Sequence, residues 1–166
     1  SSAFEAKNGD LQLQGTEGYS YKAGNAGDTT KYTGHYVTTS DIALGDIYKG
    51  VVVKSQTIGE SLRGIGITNQ VGDYTTSSTF DNVNGILTFQ QTIGSSYRVG
   101  QKGVALDQTG SYTTTSNASD INPDWGVVTA SQTLGVSLKE SLQTGHYTTS
   151  SAFEAKNGDL QLQGTE

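Results

Sequence analysis

The chain has 166 residues, 33% of them hydrophobic, with 22 glycines, a single proline (Pro123), no cysteine and no methionine. That composition excludes disulfides, thiol catalysis and soft-metal sites, and no apolar run is long enough to cross a bilayer as a helix. The net charge of −6 argues against nucleic-acid binding, which rests on cationic contacts to phosphate.

In chain order the first feature is Ser1 to Glu17, which returns letter for letter as Ser150 to Glu166, an offset of 149 positions. Diverged repeats drift, so the chain reads as one period, plus an overlap, of a longer array. Ser1 rather than Met leads, so a leader is expected to have been removed or to lie outside this window. Gly9 to Gly18 is the first of four ten-residue segments bounded by glycines; the others are Gly50–Gly59, Gly85–Gly94 and Gly126–Gly135. Each has the length of a strand with a turn at either end. Alternate positions separate two faces. One face carries Leu11, Val52, Leu87 and Val128, then Leu13, Lys54, Phe89 and Ala130, then Gly15, Gln56, Gln91 and Gln132, and ends in Glu17, Ile58, Ile93 and Leu134. It is mostly apolar and is predicted to face inward. The other ends in Thr16, Thr57, Thr92 and Thr133 and is polar.

A cation follows each segment: Lys22, Arg63, Arg98 and Lys139. Next comes a Gly-x-Tyr triplet, Gly34-His35-Tyr36, Gly72-Asp73-Tyr74, Gly110-Ser111-Tyr112 and Gly145-His146-Tyr147, with tyrosines spaced by 38, 38 and 35 residues. These triplets divide the chain into the end of a unit (1–33), three whole units (34–71, 72–109 and 110–144) and the start of another (145–166). Each unit holds two unequal halves. No stretch has helical periodicity, so the fold class is all-β: a repetitive β-solenoid or stacked β-meander of four units of about 38 residues. The alternative is a closed four-unit β ring. The terminal overlap favours the open array, because in a ring two identical segments compete for one slot. Two layers per unit would hold the cations roughly 9–10 Å apart, about a Debye length. Recurring glutamines at inward positions are expected to form amide ladders.

The recurring Ser-Leu…Gln-Thr-Gly wording resembles the repeats of curlin-type bacterial fibre subunits and the tandem β repeats of large secreted bacterial adhesins. That resemblance implies an extracellular fibre or surface role and carries no catalytic residues with it.

Candidate chemistry is sparse. His35 and His146 share a slot with Asp73 and Ser111, so they read as surface turn residues and no enzyme is expected. Asp120, Asn122 and Asp124 place oxygens at every second position, the pattern of a calcium loop. Asp41 with Asp46, Asp81 with Asn82 and Asn84, and Glu154 with Asn157 and Asp159 stand in the corresponding loops. Such residues also build ordinary turns; calcium is the one cofactor to consider, and otherwise none is expected. Tyr36, Tyr74, Tyr112 and Tyr147 read as packing residues, with a stacked ladder or a sugar platform as the other uses. Adjacent threonines point to opposite faces, so a two-column ice-binding array is not encoded. The expected role is a structural segment of an extracellular or cell-surface filament that associates with itself. The alternative is a multivalent adhesin or carbohydrate-binding module for surface glycans. Neither nucleic acid nor a membrane span is expected.

Overall fold

The computed structural model describes residues 1–5, 9–21, 32–63, 70–98, 108–154 and 159–166. Lys22 of the cation column and Asn157 of the acidic loops lie outside them. Among the described residues the strands are β1 (Ser2–Phe4), β2 (Leu11–Tyr21), β3 (Tyr32–Asp41), β4 (Ile47–Tyr48), β5 (Val51–Val52), β6 (Lys54–Leu62), β7 (Gln70–Phe80), β8 (Leu87–Tyr97), β9 (Gln108–Ser116), β10 (Ala130–Lys139), β11 (Leu142–Phe153) and β12 (Leu160–Thr165). Ten of them form one open antiparallel sheet in the order β1-β2-β3-β6-β7-β8-β9-β10-β11-β12, and β4 pairs with β5 as a small arm. The chain is therefore all-β. The sheet does not close, which overturns the ring alternative.

Two kinds of strand alternate across this sheet. β2, β6, β8, β10 and β12 carry the glycine-bounded text, and β3, β7, β9 and β11 carry the Gly-x-Tyr text. β1 repeats the last three residues of β11, and β12 repeats the first six of β2. Both copies of the duplicated segment make the same hairpin. Ser2, Ala3 and Phe4 pair with Gln14, Leu13 and Leu11, and Ser151, Ala152 and Phe153 pair with Gln163, Leu162 and Leu160. The irregularity falls before the phenylalanine in each copy.

Two expectations about glycine and turns change. Gly18, Gly59, Gly94 and Gly135 do not end their strands; they lie within β2, β6, β8 and β10. Opposite each is a tyrosine, in the pairs Gly18–Tyr36, Gly59–Tyr74, Gly94–Tyr112 and Gly135–Tyr147. The ring lies across the glycine, so that an added Cβ would fall on it. A bare backbone in a strand is a weak point, and an aromatic ring laid over it restores the missing cover. The Gly-x-Tyr triplets are likewise strand, not turn.

The opening glycines do make turns. Gly9, Gly50, Gly85 and Gly126 have φ between 66° and 79°, the left-handed region glycine enters without steric cost. In three of these loops the glycine N–H donates to the carbonyl four residues back, on Glu5, Asp81 or Asn122. Between β10 and β11 the turn is tighter, with Glu140 and Ser141 both at positive φ, as a two-residue hairpin of matching twist requires.

The interior is small. Ile47, Leu62 and Ile121 are the buried hydrophobic residues among those described. The face predicted to turn inward is open: Ile58, Ile93 and Leu134 are 57%, 53% and 53% exposed. Ser40, Ser78 and Ser116, on the threonine side of their strands, are buried instead. The reason is topological. A single sheet has no second layer to cover its apolar face, while the tyrosine rings and the connecting loops cover the polar one.

Candidate functional site

Side chains on the threonine face form a line perpendicular to the strands. Thr16, Thr38, Thr57, Thr76, Thr92, Thr114, Thr133, Thr149 and Thr165 are each directly opposite the next. Hydroxyls bond across alternate gaps: Thr38 to Thr57 at 2.7 Å, Thr76 to Thr92 and Thr114 to Thr133 at 2.8 Å, and Thr149 to Thr165 at 2.9 Å. The remaining gaps are those bridged by tyrosine over glycine. Each sheet gap thus has its own device, and the two alternate. Sequence reasoning placed Thr16, Thr57, Thr92 and Thr133 on one face; the threonines two residues after each tyrosine complete the line.

The glutamines form no amide ladder. Gln56, Gln91 and Gln132 are separated by Ser77 and Thr115 on the intervening strands, and the Gln91 Nε2 donates to Thr115 Oγ1 at 3.3 Å. The four tyrosines do not stack either, because a glycine strand separates successive rings. Tyr112 is half-buried, and burial together with the neighbouring Tyr147, Tyr74 and Asp73 raises its phenol pKa.

On the opposite face a shallow trough of about 640 Å³ runs past His35, Val37, Ile58, Glu60, Thr75 and Ile93. At one end of it stands an aromatic cluster. Glu17 Oε1 accepts from the Tyr19 hydroxyl at 2.6 Å and meets His35 Nε2 at 2.9 Å. The Tyr19 ring stacks on His35 with centroids 4.6 Å apart, and Tyr32 meets Tyr19 edge-on at 5.3 Å. The Tyr19 hydroxyl, then His35, lower the Glu17 pKa, and the same carboxylate raises that of Tyr19. His146 lies on β11 and is exposed, far across the sheet from this cluster, so the two histidines do not meet.

The acidic loops are built by their own side chains. Asp81 Oδ1 accepts from the backbone N–H of Val83 at 2.8 Å and of Asn84 at 2.6 Å, and Oδ2 accepts from Ile86 at 2.8 Å. These three bonds lower its pKa. In the candidate calcium loop, Asn122 Oδ1 accepts from the N–H of Asp124 at 2.9 Å and of Trp125 at 3.3 Å. Asp120 Oδ2 accepts from Asn117 N–H at 2.9 Å, and Asp124 is exposed on the turn. Among the described residues no group of three His, Cys, Asp or Glu side chains stands close enough to hold a metal ion. What the calcium reading overlooked is the spacing: Glu5, Asp46, Asp81, Asn122 and Glu154 each precede a glycine by four residues. Where the side chain is Asp81 or Asn122, it caps the turn that the glycine closes.

No family model, curated protein or solved structure matches this chain. No helix among the described residues is long and apolar enough to cross a membrane.

Proposed function

We propose that the chain is a structural segment of an extracellular or cell-surface β-rich filament or matrix fibre, with self-association as its principal interaction and no catalytic role. The observation that carries this reading is the hairpin at both margins of the sheet, identical in sequence and in register. A sheet whose two margins are the same element extends without a change of pattern, and its strength comes from main-chain hydrogen bonds and side-chain rows rather than from a core. From β2 to its copy β12 there are eight strand spacings, roughly 38 Å at the usual separation of neighbouring strands. Electron micrographs of frozen, unstained material are expected to show filaments with that axial repeat. Discrete particles at every concentration would defeat the reading.

A second reading, a carbohydrate-binding or adhesive module, draws on the cluster of exposed Tyr19 with half-buried Tyr32 and His35 beside the Glu17 carboxylate. Aromatic faces next to a hydrogen-bonding acid suit sugar rings. A glycan array probed with the chain and with Tyr19→Ala tests it; signal that Tyr19→Ala removes would favour this role.

A further inference from the structure

The open face of the sheet has a relief that repeats. One row across the strands reads Ile58, Thr75, Ile93, Thr113, Leu134 and Thr148, each directly opposite the next. Ile58, Ile93 and Leu134 are more than half exposed, and two strand spacings, roughly 10 Å, separate one from the next. Between these knobs lie two hollows. One of about 640 Å³ runs from Ile58 past Thr75 to Ile93, and one of about 360 Å³ runs from Ile93 past Thr113 to Leu134. The row to one side is acidic at one end, with Glu60 and Asp73, and has His146 at the other, with Ser95, Ser111 and Val136 between them. The row to the other side alternates amide and hydroxyl: Gln56, Ser77, Gln91, Thr115, Gln132 and Ser150.

We propose that this face packs against the same face of a second copy of the chain, knobs into hollows. The symmetry follows from the relief. A two-fold axis perpendicular to the strands sets each strand on its own counterpart, so that Ile93 collides with the partner's Ile93. An axis parallel to the strands, lying between β8 and β9, reverses the strand order and keeps the rows. Unlike side chains then meet. Ile93 enters the hollow at the partner's Thr113, Leu134 aligns with the partner's Thr75, and Ile58 with the partner's Thr148. In the amide row Gln91 faces the partner's Thr115, and each other glutamine also faces a hydroxyl. In the charged row Glu60 and Asp73 turn toward the end that holds the partner's His146 and no acid, a match that fixes register. Stacked sheets cross at about 30°, so the pairs nearest the axis stay in register and the charged ends act through proximity. The area suffices. The six strands from β6 to β11, over three rows, cover roughly 29 by 20 Å, and two such faces bury about 1,200 Å², where the range of specific interfaces begins. Removal of three exposed aliphatic side chains per copy from water drives the contact. It uses a face and not an edge, so it goes beyond the filament reading and would join two such filaments side by side.

Single thiols test each face, because the chain has no cysteine of its own. Facing sheets stand about 10 Å apart, too far for a disulfide but within the span of a short bis-maleimide. Ile93→Cys, beside the axis, is expected to give a covalent dimer. Ser96→Cys, exposed on the threonine face of the same strand, is expected to give none. Sedimentation velocity follows the contact without a label. Ile93→Asp, which buries a charge in the hollow, is expected to weaken the dimer roughly tenfold or more. His146→Glu sets acid toward acid and is expected to weaken it about threefold, with Glu60→Lys in the same chain recovering the loss. Circular dichroism confirms that each variant keeps its sheet. An unmodified chain that sediments as a monomer up to its solubility limit, or equal cross-linking of Ser96→Cys, overturns the face contact and leaves the row to another occupant. The filament reading is judged separately. Filaments that are paired in the unmodified chain and single in Ile93→Asp support both. Filaments whose thickness Ile93→Asp leaves unchanged overturn the face contact alone, and a dimer without filaments overturns the filament reading alone.

Discussion

Glycine and tyrosine divide one task between them in this sheet. At Gly94 the backbone is covered by the ring of Tyr112, with no room for a Cβ between them. Gly94→Ala, which improves strand propensity in an ordinary setting, is therefore expected to destabilise by about 1–3 kcal/mol through overpacking. Combining it with Tyr112→Ala should cost less than the sum of the two changes, since the ring that clashes is gone. Urea denaturation of the four variants measures that coupling. The threonine line makes a smaller demand. Thr114→Val leaves the Thr133 hydroxyl without its 2.8 Å partner and is expected to cost about 0.5–1.5 kcal/mol.

Asp81 gives the residue scale its pH dependence. Its folded pKa lies below the ordinary 3.8 because three backbone N–H groups donate to the carboxylate. A depressed pKa means that the unfolded chain binds the proton more readily. The stabilisation is therefore fully present above pH 3.8 and is lost as the pH falls through the depressed value. Thermal unfolding of the chain and of Asp81→Asn, followed from neutral pH down to about pH 2, is expected to show a weaker acid decline in the variant. Parallel curves would show that the three bonds do not couple to folding.

At the scale of elements, the loops between tyrosine strands and glycine strands determine how neighbouring hairpins sit. A Cβ built on Gly126 would lie 3.2 Å from Leu87 N and 3.3 Å from Ile86 Cγ2, and the residue has φ of 66°. Both the close approach and the left-handed backbone oppose any side chain there. Gly126→Val is expected to loosen the contact between its loop and the one before β8, with increased amide exchange in residues 117–129 and little change in β3 or β6. Ile121 is one of the buried apolar side chains among the described residues and bridges to Val128 in the same loop. Its truncation to Ala should cost about 2–5 kcal/mol, against changes near 0.5 kcal/mol or less for Ile93→Thr on the open face.

Across the whole molecule stability is spread along the sheet rather than gathered in a core. With so few buried hydrophobic residues among those described, each strand depends on its neighbours, as in a repeat array. Hydrogen exchange is expected to be slowest in β7, β8 and β9, which have paired strands on both sides, and fastest in β1 and β12 at the margins. A uniform profile at high concentration would mean that the margins are covered by other copies. Comparing dilute and concentrated samples separates the two states.

The all-β class, the alternation of two faces and the fourfold recurrence of glycine, tyrosine and threonine were legible in the sequence, because strand periodicity is local and each unit repeats it. So was the identity of the terminal segments. The roles of the glycines were not: Gly9 and Gly18 bound the same ten residues, yet one turns the chain at φ of 77° and the other lies flat beneath Tyr36. Only pairing with the next strand distinguishes them. In the 117–129 loop the side-chain oxygens of Asp120 and Asn122 accept backbone N–H groups of their own turn, a geometry that residue spacing alone does not reveal. The apolar face read as interior because burial was inferred from alternation alone. Alternation determines which residues share a face; whether anything covers that face depends on how the strands are ordered, and one open meander leaves Ile58, Ile93 and Leu134 in solvent. Local sequence thus determined the strands and their two faces, while strand order and register, which are non-local, decided the open sheet, the unbroken threonine line and the matching margins.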